Sequence, residues 1–98
     1  MEGIYINNNL SVEIQIWCDG DWNIVFLVGD SFDYEARANR IAITRWLLAT
    51  WKEIQVEYKG KTLYCDAYND DGKGDYRLSI YQKLGFIKDG KYCMYIDL

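Results

Sequence analysis

The sequence predicts an α+β domain with a mixed β-sheet, in the order β-β-β-α-β-α-β. Three observations carry that expectation. Apolar and polar residues alternate through the first third of the chain, a long segment without glycine or proline follows, and a glycine closes a second, shorter helical segment near the C-terminus. The 98 residues, 50% of them hydrophobic and 16% aromatic, suffice for one core and one domain spanning 1–98.

Ile4 and Ile6, then Leu10, Val12, Ile14 and Ile16, recur at period two, with Ser11, Glu13 and Gln15 between the later ones. That alternation marks strands with one wetted face. Asn7-Asn8-Asn9 separates two such strands, and Asp19-Gly20-Asp21 is a hairpin turn leading into a third. Trp22 to Val28 becomes continuously apolar, which suits a central strand covered on both faces.

Gly29 to Asp33 breaks the strand pattern, and Ser31 or Asp33 is placed to cap a helix. From Tyr34 to about Ile54, Ile43, Leu47, Thr50 and Ile54 form one stripe, with Trp46, Leu48 and Trp51 widening it. Such a face packs on a sheet. Tyr58-Lys59-Gly60-Lys61 is a turn, and Thr62 to Tyr68 is a strand by propensity, expected parallel to Trp22–Val28 through a crossover. A polar loop from Asn69 to Asp75 leads to a helix over Tyr76–Leu84. Gly85 stands at its left-handed C-cap, Phe86 supplies the accompanying apolar contact, Asp89-Gly90 is a turn, and Tyr92–Leu98 is the closing strand.

The net charge of −4, with no cluster of Lys and Arg, argues against non-specific nucleic-acid binding. No apolar run reaches the roughly 20 residues of a membrane span, and no basic-then-apolar leader opens the chain. Three well-separated cysteines (Cys18, Cys65 and Cys93) without a CxxC pair read as reduced thiols in a cytoplasmic setting. Cys65 and Cys93 fall in predicted strands and read as buried structural thiols. Without histidine the chain lacks the usual zinc ligand sets and the Ser-His and Cys-His nucleophile pairs. The loop Asn69–Asp75 has calcium-like composition, but Ala67 and Leu78 stand where an EF-hand needs oxygen ligands, so no metal is expected. Gly72-Lys73-Gly74 is too short for a phosphate-binding P-loop.

The stretch Asp75 to Phe86 contains Arg77, Tyr81, Gly85 and Phe86 in the pattern Arg-x-x-x-Tyr-x-x-x-Gly-Phe. It resembles the second helix and following strand of the GNAT family of N-acetyltransferases, and Met94 to Leu98 is similar to the family's closing strand. The resemblance covers the chain from about Leu10 onward. It implies a GNAT-like mixed sheet that lacks the family's N-terminal helices.

It also implies acetyl-CoA-dependent transfer of an acetyl group to an amine of a small molecule or protein. A strand like Trp22–Val28 would splay from one like Thr62–Tyr68, with the thioester in the gap, held by backbone N–H groups near Leu27 and Val28. Tyr81 would protonate the leaving thiolate. Glu57 and Asp66 border the gap, and neither is assigned as a base. The family's pyrophosphate loop would fall on Asp33-Tyr34-Glu35-Ala36-Arg37-Ala38 or on Arg37-Ala38-Asn39-Arg40-Ile41-Ala42, so the cradle is expected over Ala36, Arg37, Ala38, Asn39 and Arg40. The same resemblance admits a catalytically inactive GNAT-like binding or inhibitory protein, as small phage-encoded domains provide, or a subunit of a larger assembly. A homodimer is compatible with either, and Tyr81 has a competing reading as a packing residue with its hydroxyl at the rim.

Overall fold

In the computed structural model, residues 3–29, 36–66, 72–90 and 93–98 are described. Three strands, β1 (Gly3–Asn7), β2 (Val12–Asp19) and β3 (Asp21–Val28), precede helix α1 (Arg37–Glu57). Strand β4 (Thr62–Asp66), helix α2 (Gly74–Leu84), β5 (Ile87–Lys88) and β6 (Cys93–Asp97) follow. Among the described residues six strands form one sheet in the order β1-β2-β3-β4-β6-β5. Only β3 and β4 run parallel; every other neighbouring pair is antiparallel. The domain is thus α+β with a mixed sheet, and its described residues form two helices and one strand more than the sequence pattern indicates. The extra strand is the pair Ile87–Lys88, which follows the α2 stop and lies against Met94 and Tyr95. Two residues are too short for a period-two signal.

Both helices cover the same face of the sheet. Val12, Ile14 and Ile16 of β2, Ile24, Phe26 and Val28 of β3, and Leu63 and Cys65 of β4 point inward. They join Ile43, Leu47, Trp51 and Ile54 of α1 and Ile80 and Tyr81 of α2 in one core cluster. Trp51 and Tyr81 each meet Phe86, at ring-centroid distances of 5.5 and 5.4 Å, and so tie the two helices together. The α1 stripe expected from spacing is present, except that Leu48 is 47% exposed. It sits one position beyond the sheet-facing arc, where Thr44 and Arg45 also lie. β3 is central, yet only its even-numbered residues are covered by helices. Its odd-numbered residues Asn23, Val25 and Leu27 are half-buried on the opposite face. A continuous apolar run therefore does not mean two covered faces here; the second face borders a cleft. No helix among the described residues is long and apolar enough to cross a membrane.

Helix ends follow local chemistry. α2 stops at Gly85, whose φ of 100° is left-handed. The N–H groups of Gly85 and Phe86 return to the carbonyls of Gln82 and Tyr81, the paired bonds of a Schellman turn. α1 begins after Ala36, which makes no side-chain cap bond. The caps expected at Ser31 and Asp33, and the earlier helix start at Tyr34, lie outside the described residues, as do the last two residues expected in β4.

Candidate functional site

β3 and β4 are paired only at Trp22 with Leu63 and Asn23 with Tyr64. Among the described residues no further pair joins them, and no described strand pairs with the edge of β3 from Ile24 to Val28. Strand alternation decides which backbone groups face this gap. In the antiparallel pair with β2, successive residues point their N–H and C=O alternately toward and away from the partner. The Gly29 N–H donates to Ser11 C=O of the β2 side, so the odd-numbered residues, Leu27 included, face β2. Ile24, Phe26 and Val28 face the gap.

Two side chains from α2 fill that gap. The Phe26 N–H donates to Tyr81 Oη at 3.1 Å, and Arg77 Nε donates to Phe26 C=O at 2.8 Å. Arg77 and Tyr81 are both about 1% exposed. Their i, i+4 spacing puts them on one helix face, one turn apart, matching the spacing of a strand residue's donor and acceptor. They do for Phe26 what a neighbouring strand would have done. Burial lifts the Tyr81 phenol well above the ordinary tyrosine value, with Cys65 adding to the rise; the Phe26 N–H and the Arg77 charge act in the opposite direction.

The opposite face of the sheet carries a cleft of about 530 Å³ at the same divergence. Trp17, Asn23, Val25, Leu27 and Tyr64 line it together with the carboxylates Asp21, Asp66 and Asp89 and the thiol of Cys93; among the described residues no lysine or arginine does. The two turns read from Asp19-Gly20-Asp21 and Asp89-Gly90 thus each deliver a carboxylate to one opening. Cys93 is exposed, which corrects its reading as a buried thiol. It pairs in register with Asp66, on the face away from the helices, whereas Cys65 points into the core.

The Cys93 thiol hydrogen-bonds the Asp66 carboxylate, and this neighbour's charge raises the thiol above its ordinary value. The thiolate is the reactive form, so less of it exists at a given pH. Asp66→Asn is therefore expected to speed alkylation of Cys93 at pH 8 several-fold, as read by peptide mass spectrometry against Cys18 in the same sample. An unchanged rate would show that Asp66 does not control this thiol.

The remaining predicted site residues divide between places. Leu27 turns its side chain into the cleft and its backbone toward β2, while Val28 is buried and ends β3 with its backbone facing the gap. Ala36 precedes α1 and accepts the Arg40 N–H at 3.0 Å. Arg37, Ala38 and Arg40 are exposed on the first turns of α1, with Asn39 half-buried. Arg37 and Arg40 share a groove with Ile41, Thr44, Arg45 and Lys83, apart from the cleft that Leu27 lines. Asp33 and residues 67–71 of the loop weighed for calcium lie outside the described residues. Among the described residues no cluster of His, Cys, Asp and Glu has the geometry to hold a metal.

Sequence reading named Arg77 only as a motif position. Its i, i+4 relation to Tyr81 was the available signal. Trp17, Asp21 and Asp89 carry no local signal, because only the sheet order brings them to one opening; Lys83 carries none because only the packing of α2 beside α1 brings it to the groove. No protein-family model matches the chain, and comparison with curated proteins and with solved structures likewise gives no match.

Proposed function

We propose that this chain is a binding protein of GNAT-like architecture that takes a cationic group of its partner into the acidic, aromatic cleft and transfers no acetyl group. The occupancy of Phe26 carries this reading. An acyl donor threaded between β3 and β4 needs free backbone donors on the β3 edge, and at Phe26 both backbone groups are already bonded to α2 side chains. Tyr81, fully buried and with a raised phenol, is a poor match to an acid that must reach a leaving thiolate near neutral pH. The cleft offers three carboxylates and the rings of Trp17 and Tyr64, which suit an ammonium or guanidinium through charge and cation–π attraction.

Acetyl-CoA-dependent transfer to an amine is the second reading, favoured by the divergence of β3 from β4 and by the gathering of Arg37 and Arg40 in one groove. One pair of measurements separates the two. With acetyl-CoA and a lysine-rich peptide, release of free thiol is expected to stay at the uncatalysed level. Calorimetry with the same peptide is expected to show binding that weakens about tenfold in Asp66→Asn, the worth of one charged hydrogen bond. Thiol release that disappears in Tyr81→Phe would establish the transferase instead, and peptide affinity indifferent to Asp66 would remove the cleft from the binding reading.

A further inference from the structure

We propose that β1 is a self-pairing edge, through which two copies of this chain join their sheets antiparallel about a two-fold axis at Tyr5. Among the described residues β1 and β5 are the two ends of the sheet. The β5 end is blunt: it has two residues, one of them a lysine, and Asp89-Gly90 follows. The β1 end has five residues, Gly-Ile-Tyr-Ile-Asn, with no charge, no proline and no bulge in its register with β2. Native sheets protect their edges with such devices, and β1 carries none of them.

Register decides which backbone groups this edge presents. The Gly29 N–H donates to the Ser11 carbonyl and Val12 stands opposite Val28, so Glu13 and Gln15 bond toward β3 while Val12, Ile14 and Ile16 bond toward β1. Their partners in β1 are Asn7, Tyr5 and Gly3. Ile4 and Ile6 therefore turn their N–H and C=O groups away from β2, toward the open edge. The same two residues carry the exposed side chains, 51% and 56% respectively, on the face away from the helices. Tyr5 points to the helix face and donates to Glu57 at 2.6 Å. Set antiparallel to itself, β1 places Ile4 opposite Ile6 of the second copy. Each such pair exchanges two hydrogen bonds, so the two-fold axis gives four, and they satisfy the outward N–H and C=O of Ile4 and Ile6 in both copies. The four isoleucines then meet as cross-strand neighbours on one face. A second copy supplies this match by symmetry, with the same patch on both sides of the contact. Each copy has a net charge of −4, yet the uncharged β1 brings no like charges together at the axis. A five-residue edge is smaller than the roughly 800 Å² per partner of a standard stable complex, so the dimer is expected to dissociate at about 100 μM. The inference rests on β1 alone and not on what the cleft holds.

The test is sedimentation equilibrium of the full chain from about 10 to about 500 μM, with amide hydrogen exchange at both ends of that range. The average mass is expected to rise from one chain toward two. Exchange at the Ile4 and Ile6 amides is expected to slow several-fold with concentration, while the Tyr5 amide, already turned to β2, changes little. Ile6→Pro is the discriminating variant. The Ile6 N–H points out of the sheet, so proline is tolerated there and removes one donor from each copy. It is expected to keep the circular dichroism spectrum of the parent and to weaken association about tenfold or more. Ile4→Lys, which charges the edge, is expected to act likewise and serves if the proline variant does not fold. A chain that stays monomeric at about 500 μM, or exchange at Ile4 and Ile6 indifferent to concentration, would overturn the proposal. So would a dimer as tight as the parent's in a folded Ile6→Pro or Ile4→Lys protein, which would put the contact on another surface.

Discussion

Replacing Arg77 with alanine is expected to cost about 3–5 kcal/mol of folding free energy, from two losses added together. The Phe26 carbonyl, facing a gap where no described strand pairs with it, loses its 2.8 Å donor. A buried acceptor left unpaired costs about 1–3 kcal/mol. The volume of a side chain that is 1% exposed is also emptied, in a core that repacks only partly. Against a total stability of about 5–15 kcal/mol for a domain of this size, that is about a fifth or more. With a urea dependence of about 1–1.5 kcal/mol per molar, the unfolding midpoint should fall by about 2–5 M. Arg77→Met separates the two losses, because it refills most of the space without restoring a donor. It should recover roughly half of the deficit. An alanine variant within about 1 kcal/mol of the parent would mean that Arg77 does not hold the β3 edge.

That one residue exposes the limit of reading this fold from sequence. The strands β1 to β3, the buried stripe of α1 and the Gly85 stop were legible because each is set by local chemistry: alternation, helical periodicity, and a left-handed position that only glycine adopts freely. The gap between β3 and β4 came from the resemblance, not from any pattern in Ile24 to Val28. How the gap is filled was not legible at all, since Phe26 and Tyr81 are 55 residues apart and the spacing of Arg77 and Tyr81 fits a catalytic helix and a sealing helix equally. The cleft is a similar case. Asp21 and Asp89 read as turn residues, and the structure puts Asp21 at the start of β3 and Asp89 just after β5; that both line one cleft follows from β4 and then β6 lying beside β3, with β5 beyond β6. Cys65 and Cys93 read alike in sequence and differ because register sends them to opposite faces.

Tyr81→Phe carries the second large expectation, and it discriminates between the two roles that the sequence left open. Removing the hydroxyl takes away the acceptor of the Phe26 N–H while leaving the ring against Phe86. A buried donor stranded in this way should cost about 1–3 kcal/mol, with little loss of packing. Hydrogen exchange at the Phe26 amide should accelerate by a matching factor in any opening that exposes β3, even where neighbouring core amides stay protected.

The alkaline limb of stability gives an independent reading. Burial raises the folded-state phenol above its ordinary value near 10, so the unfolded chain ionises first. The stabilisation from the neutral phenol is complete below about pH 10 and is lost as the pH climbs beyond it. Tyr5 and Cys65 are raised as well and contribute in the same direction. Tyr81→Phe should therefore flatten the loss above pH 10 without abolishing it. A residue kept for chemistry at an accessible site would behave in the opposite way: the substitution would leave stability, the Phe26 amide and the alkaline limb unchanged while lowering turnover by about 10²–10⁴-fold. The sealed edge of β3 supports the first outcome, because a hydroxyl already committed to Phe26 holds the scaffold on which the cleft and the basic groove are built.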